Sequence, residues 1–385
     1  MKKYDLIVVG AGNLGVFHAY HALKMGKKVL LLERDSAPNE ATVRNFGQIV
    51  PSGQSLNGWF DYGRESLKIY NEIQKKTDIS IRKNGSYYFA SDEDELLLLY
   101  EAAYLFAERD YKVKLLSSNE CVKNVEGLKK KYVKGGIYFP KELSTEPRLM
   151  IHLIINYLIK SLGLEYLNNT NIIGVDIVKN LVQATTSNQI KILAEKAVIC
   201  NGYDFKTLFP EIFSKSEMQI CKLQMMQTHP QRKFEITGNI LTGLSIRRYD
   251  SFKSCKSYPF IKKTELHDLY DNYGIHILFK QAIDGSIIIG DSHEYTDINN
   301  NSSLDFGNSL SINELILDEA KKIFNFPHWI ISNYWSGYYA KTKDDNVFEY
   351  SLDNKIFIST GIGGKGMTTA PGYTMKNIQK MFETT

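Results

Sequence analysis

Gly10-Ala11-Gly12-Asn13-Leu14-Gly15 is the stretch on which the fold turns. It follows directly on Tyr4-Asp5-Leu6-Ile7-Val8-Val9, an apolar run expected of a central parallel strand buried on both faces. A helical stretch then runs to Met25, Gly26 stops it, and Val29-Leu30-Leu31-Leu32 makes a second buried strand ending in Glu33. This is a complete β-α-β unit with G-x-G-x-x-G in its first turn. Gly10 permits the tight turn, Gly12 lets the backbone approach a pyrophosphate, and Gly15 lets helix and strand pack closely. Amide groups at the helix start, aided by the helix dipole, stabilise the diphosphate. Glu33 stands where a carboxylate accepts hydrogen bonds from both ribose hydroxyls, and it would repel a 2′-phosphate. The sequence therefore predicts a bound dinucleotide other than NADP.

An N-terminal unit of this kind serves both NAD and FAD, so the rest of the chain decides. Further β-α repeats do not follow. A polar loop, Arg34 to Val43, leads instead into Arg44-Asn45-Phe46-Gly47-Gln48-Ile49-Val50-Pro51. Far downstream, Ala197-Val198-Ile199-Cys200-Asn201-Gly202 reads as a short buried strand ending in a glycine turn. Near the C-terminus a strand, Lys355–Ser359, runs into Gly361-Ile362-Gly363-Gly364-Lys365-Gly366-Met367-Thr368, with a helix expected from Gly372 to Met381. A helix start there would aim backbone donors at a flavin C2 carbonyl. Two glycine turns bracketing the whole chain favour an extended cofactor, FAD.

In these features the chain resembles FAD-dependent oxidoreductases of the D-amino-acid-oxidase and glycine-oxidase type over essentially its full length. The matching parts are the Gly10–Gly15 turn with Glu33, Ile199–Gly202, Trp335-Ser336-Gly337 and Gly361–Thr368. Within that group it is similar to a clade linked to phosphonate catabolism, proposed to oxidise aminoethylphosphonate-like amines. That similarity lies in Val43–Gly47 with Pro51, Gly53-Gln54, Asp204-Phe205, Leu208-Phe209-Pro210, Leu223-Gln224-Met225, Arg247-Arg248-Tyr249 with Ser251-Phe252, and Gly290–Tyr295. The closing glycine loop is more like the general family. The resemblance implies an α/β (α+β) fold, with a Rossmann-like FAD-binding domain interleaved with an antiparallel-sheet substrate domain. The cofactor domain would take residues 1–85, 145–215 and 335–385, and the substrate domain 86–144 and 216–334. It further implies FAD contacts from Gly10, Gly12, Asn13, Leu14, Gly15, Glu33 and Arg34. Arg44, Asn45, Phe46 and Gly47 follow, then Ile172, Cys200 and Gly202, and finally Gly361, Gly363, Gly364, Lys365, Gly366, Met367 and Thr368.

The remaining pattern fits this organisation. Helices are expected at Gly58–Lys75, around Leu96–Phe106, at Pro147–Ile159 and at Ile312–Phe324. Strands are expected at Gly85–Ala90, Leu223–Thr228, Ile275–Phe279 and Ser286–Ile289, with a hairpin turn at Asp284-Gly285. Asn299-Asn300-Asn301-Ser302-Ser303 reads as a polar loop. The 385 residues, 43% hydrophobic and 23% charged, supply a sizeable core. A net charge of +4 without an arginine-rich run argues against nucleic-acid binding. Four cysteines, Cys121, Cys200, Cys221 and Cys255, show no metal-site or disulfide spacing, which fits a reducing, cytoplasmic setting. No apolar run approaches membrane-span length.

Flavin amine oxidation needs no dedicated nucleophile. The protein must hold a C–H bond near the cofactor, favour the neutral amine and anchor the substrate's anionic end. Glycine oxidases place an arginine two positions after the glycine corresponding to Gly337, whereas this chain has Tyr339; sarcosine oxidases place a lysine where it has Thr368. The missing carboxylate clamp leaves room for a phosphonate. Arg44, Lys365, Arg247, Arg248 and Tyr249 are candidate replacements. Arg247 and Arg248 would face opposite ways on a strand, and Arg248 is preferred. His276, alternating with Ile275 and Ile277 on an expected strand, and His293 are candidates for phosphonate binding or for taking up the amine proton. Gln48 and Tyr339 are expected to line the pocket, and Met225, Met226 and Trp335 to be core. No cysteine falls in the closing segment, so FAD is expected to be non-covalent. The expected activity is oxidation of the C–N bond of a small aminophosphonate, with oxygen or another electron acceptor. The alternatives are a glycine-, sarcosine- or D-amino-acid-type oxidase and a non-catalytic flavin-binding protein.

Overall fold

Leu6, Ile7 and Val8 are wholly buried because their strand, Lys3–Val9, lies at the centre of a sheet covered on both faces. The computed structural model describes residues 3–299, 304, 306–344 and 346–383. Of the polar loop expected at Asn299–Ser303, residues 300–303 lie outside them. Lys3–Val9 pairs in parallel with Val29–Leu32 on one side and Lys191–Ile199 on the other. Glu165–Leu167 extends the parallel run at one end and Ile356–Thr360 at the other. Phe348–Leu352, Ile172–Val178 and Leu181–Thr186 add antiparallel strands, giving eight among the described residues.

From Leu6 to Val8 successive residues of the central strand enter two different cores, as period-2 geometry requires, whereas Tyr4 at the strand start departs from the alternation. Leu6 and Val8 pack with Val16, Phe17 and Tyr20 of the helix Asn13–Lys24. Tyr4 and Ile7 pack on the opposite side with Val175, Val182 and Ala184. Each such apolar side chain contributes roughly 1.5–3 kcal/mol on full burial, so the β-α-β unit is anchored from both faces.

The second sheet has nine strands among the described residues and stands across the site from the first. Met218–Thr228 pairs along its length with Ile331–Thr342, and on its other side with Ile287–Gly290 and Glu294–Asp297. Leu278–Gln281, Asn239–Leu241, Ser86–Ala90, Gly135–Phe139 and Lys114–Ser117 complete it. The sheet is antiparallel, as expected, apart from one pair, Asn239–Leu241 and Ser86–Ala90, which run parallel. No hairpin joins these sequence-distant strands, so nothing imposes the antiparallel sense.

Three further expectations change. His276 precedes its strand, which begins at Leu278, although its backbone exchanges hydrogen bonds with Asp291 (3.1 and 2.8 Å). Arg247 and Arg248 end a short helix, Gly243–Arg248, rather than lying on a strand. The closing helix spans Gly366–Glu383, six residues earlier than proline punctuation predicts, with Pro371 inside it. The hydrogen bonds that proline disrupts are replaced from outside. The Tyr70 hydroxyl donates to the Met367 carbonyl at 2.9 Å, and the Gly372 amide donates to Ser66 Oγ at 3.0 Å. His21 Nε2 lies 2.8 Å from the Pro371 carbonyl oxygen.

Candidate active site

Two connected cavities, about 150 and 470 Å3, run from the end of the Val29–Leu32 strand to the face of the second sheet. Gly12, Thr42, Cys200 and Gly202 line both, so the two form one continuous trough. At the narrow end the glycines are dictated by backbone contacts. Gly10 has φ +96°, and a Cβ on it would sit 2.3 Å from the Cys200 carbonyl oxygen. A Cβ on Gly15 would sit 1.8 Å from the Gly10 carbonyl oxygen. Glu33 Oε2 accepts the Ala11 amide at 2.9 Å and Oε1 the Asp35 amide at 3.1 Å, which fixes the carboxylate at the strand end. Ile172 is buried against the same cavity, and Arg34 lies at its rim with Asp204 at 3.1 Å.

The loop after this unit folds back over the helix start. Thr42 Oγ1 accepts the Asn13 amide at 3.0 Å. Asn45 Nδ2 donates to the carbonyls of Ala41 and Thr42, and its Oδ1 accepts the Gly47 amide. Phe46 is buried beside them, and Leu14 lines the wider cavity. Arg44 donates from Nε to the Asn39 carbonyl (2.7 Å) and from Nη1 to the Ser336 carbonyl (3.2 Å). Trp335, expected as core, is only partly buried and donates to the Arg44 carbonyl at 3.2 Å. Thr42 was not singled out in the sequence, because a threonine in a polar loop carries no signal of its own.

The C-terminal glycine loop closes the middle of the trough. Gly361 and Gly363 have φ of +75° and +66°, and Gly363–Lys365 forms a turn of 3-10 helix running into Gly366. Gly364 and Gly366 also face the cavity. Thr368 Oγ1 accepts the Val50 amide at 3.1 Å, and the Lys365 ammonium lies 5.1 Å from the Trp59 ring centroid. Burial raises the pKa of the Cys200 thiol well above its ordinary value, and all four cysteines are buried and unpaired. These features fit a long dinucleotide: a trough with a helix start exposed in its floor, and glycines where a Cβ would collide. Asn13 lines the same space with a buried Oδ1 that has no donor.

At the wide end, four side chains from three segments converge, Arg248, His276, Asp291 and His293. Arg248 donates to the Tyr295 hydroxyl at 2.9 Å, while Arg247 turns away into Glu95 and Asp92, both at 2.5 Å. Adjacent helical residues are about 100° apart, so the two diverge here as well. His276, Asp291 and His293 are all buried against the cavity. Asp291 Oδ1 lies 2.9 Å from His276 Nε2, and Oδ2 lies 3.8 Å from His293 Nε2. Despite that distance no hydrogen bond of acceptable geometry reaches Oδ1, which has no aligned donor.

Burial, with Arg248 adding to it, pushes His276 well below the ordinary histidine value and His293 down to about 3. Both rings are therefore neutral at pH 7, which does not favour the proton uptake near neutrality expected of either. Burial raises the Asp291 carboxyl. Gln48 Nε2 donates to the Phe279 carbonyl at 3.1 Å, so this side chain is a fixed part of the wall. Tyr339 lies between the glycine loop and His293, whose ring centroid is 6.3 Å from its own. Met225 and Met226 are core, as expected. Asp291 falls within the Gly290–Tyr295 stretch of the resemblance but carries no role in the sequence, since its burial arises only in the fold.

The family model described as "FAD dependent oxidoreductase" (DAO) matches residues 5–374. The chain is 22% identical to a glycine oxidase of Bacillus licheniformis over 384 residues, covering 96% of this chain and 90% of that protein. It is 23% identical to an opine oxidase component of Rhizobium meliloti over 366 residues, covering 89% and 84% of the two chains. The fold matches L-proline dehydrogenase from P. horikoshii with a TM-score of 0.80 at 18% identity, covering 99% of this chain and 94% of that one. Among the described residues no helix is long and apolar enough to cross a membrane. The trough with its two glycine turns fits a cofactor of that kind, and the chain belongs to the DAO family of FAD-dependent oxidoreductases.

Proposed function

We propose that the chain oxidises the C–N bond of a small aminophosphonate, 2-aminoethylphosphonate or its N-methyl derivative, with oxygen or another acceptor completing the cycle. The observation that carries the proposal is Arg248 in the wide cavity, bonded to Tyr295, where Tyr339 stands in the position that glycine oxidases fill with arginine. A flat carboxylate is held best by a bidentate guanidinium fork. A tetrahedral phosphonate has a third oxygen, and the cavity offers Tyr295 and Tyr339 hydroxyls around Arg248 to receive it.

FAD, when bound, supplies the acceptor for the two electrons and the hydrogen leaving the substrate carbon. Gly10, Gly12, Asn13 and Leu14 would hold its diphosphate, Glu33 its ribose and the 361–368 loop its ring, without a covalent link, while Gly15, expected as a contact, lines neither cavity and packs the helix start onto the strand. Arg44, tied to two carbonyls, holds the 39–47 loop against Ser336 beside the cofactor. Gln48 and the uncharged His276 and His293 form the wall on the amine side and exclude water. In the same proposal residues 1–85, 145–215 and 335–385 bind cofactor, and 86–144 and 216–334 enclose substrate. The boundary near 335 then falls within the strand Ile331–Thr342.

The second reading, a glycine- or sarcosine-type substrate, is favoured by the near full-length similarity to a glycine oxidase. The two separate on kcat/KM for matched phosphonate and carboxylate amines. A preference for the phosphonate by about tenfold or more supports the proposal, and an equal preference for the carboxylate contradicts it.

A further inference from the structure

Asp291 is 6% exposed and lines the substrate cavity, and its Oδ1, itself buried 2.9 Å from His276 Nε2, has no aligned donor. A buried carboxylate without donors is costly, so the groups around it matter. His293 Nδ1 lies 3.1 Å from the Gly274 carbonyl, which can only accept; the neutral ring therefore carries its hydrogen on Nδ1 and turns a lone pair toward Asp291. His276 is close but misaligned. Tyr249, after the short helix, and Cys221, on the strand Met218–Thr228, are the other titratable neighbours, and burial pushes both up, so neither carries charge at pH 7. Arg248 is the nearby cation, and it is committed to the substrate's anionic end in the reading above.

We infer that Asp291 receives the protonated amine of the substrate and takes one proton from it, an inference that rests on that reading of an amine with an anionic end. An ammonium brings N–H donors to this donor-poor carboxylate and a positive charge besides that of Arg248. In the transfer one N–H bond breaks, its electron pair stays on nitrogen as the lone pair, and an O–H bond forms on Asp291. The amine is then neutral, as loss of hydrogen from its carbon requires. The two uncharged histidines fit this arrangement, since imidazolium rings there would repel an ammonium. Arg248 and Asp291 together match the two ends of a zwitterion.

The test uses the flavin-loaded Asp291→Asn protein under anaerobic conditions. With N-methyl-2-aminoethylphosphonate, cofactor reduction is expected to slow about a hundredfold near pH 7 and to recover as the pH approaches about 10, where the amine is itself neutral. Ethylphosphonate, which has the anion and no amine, is expected to perturb the visible flavin band with a Kd within about threefold of wild type. Reduction near pH 7 at close to the wild-type rate overturns the inference. So does slow reduction at every pH accompanied by lost ethylphosphonate binding, which marks a structural role.

If Asp291→Asn does not fold, Asp291→Glu keeps the carboxylate. It must then show the wild-type pH profile at reduced rate; a rate that climbs with amine deprotonation contradicts the inference. If the wild-type protein is reduced by sarcosine and not by the phosphonate, the phosphonate reading fails alone. Sarcosine and acetate then replace the two probes in the same comparison. A wild-type protein reduced by neither amine overturns both.

Discussion

Gly10 and Arg248 line the two ends of one trough, and different forces hold them. Gly10 is fixed by backbone: its positive φ and the Cys200 carbonyl 2.3 Å from where a Cβ would stand exclude any side chain. Arg248 is fixed by side chains gathered from segments far apart in the chain, Tyr295 among them. A site built from backbone is written in a short contiguous motif. A site built from side chains exists only after the fold has brought distant residues together.

The largest expected effect is at the backbone end. Gly10→Ala should abolish FAD retention and leave little soluble protein, because the strand and the turn cannot both keep their places. Absorbance near the flavin maximum in purified protein checks this, and a yellow, folded variant would break the contrast.

At the other end, the two neighbouring arginines should part company. Arg248→Ala is expected to keep FAD and lower kcat/KM by roughly 30- to 3000-fold, the equivalent of losing about 2–5 kcal/mol from a buried charged contact. Arg247→Ala should do the reverse. It leaves Glu95, 1% exposed, without its cation, which costs about 3–5 kcal/mol of stability. Denaturant melts and steady-state kinetics on the pair measure both.

A buried carboxyl gives a pH-dependent comparison. Burial pushes Glu142 up to about 7, despite hydrogen bonds from the Ser52 amide (2.7 Å) and the Tyr111 hydroxyl (3.3 Å). Between its ordinary value and pH 7 the folded state holds a proton that the unfolded state has lost, so stability from this group falls as pH rises through that window. Above it the cost levels off at roughly 3 kcal/mol. Glu142→Gln should therefore melt increasingly above wild type from pH 5 to pH 8; a difference independent of pH would contradict the assignment. The smallest effect is expected at Tyr70→Phe, which strips the Met367 carbonyl of the donor replacing the proline's, at about 1–3 kcal/mol by thermal melting.

The same contrast decides what was legible in the sequence. Gly10–Gly15 with Glu33, and the strand leading into Gly361, could be read directly because each requirement is local to a strand-to-helix turn. The start of the closing helix was not legible, because Pro371 is accommodated by Tyr70, Ser66 and His21 from two other helices. The histidines were found as residue types, but their neutrality depends on burial beside Arg248. Asp291 lies in the Gly290–Tyr295 stretch of the resemblance but carries no role there, because an aspartate after a strand reads as a turn residue until its buried, donor-poor surroundings are seen.

The most direct test of the account is an anaerobic titration of the yellow protein, following the visible flavin band as single amines are added. The set is 2-aminoethylphosphonate, its N-methyl derivative, glycine, sarcosine and a D-amino acid. Rapid bleaching by the phosphonates alone is the predicted result. Bleaching by glycine or sarcosine with the phosphonates inert would contradict it, and would place a carboxylate at Arg248.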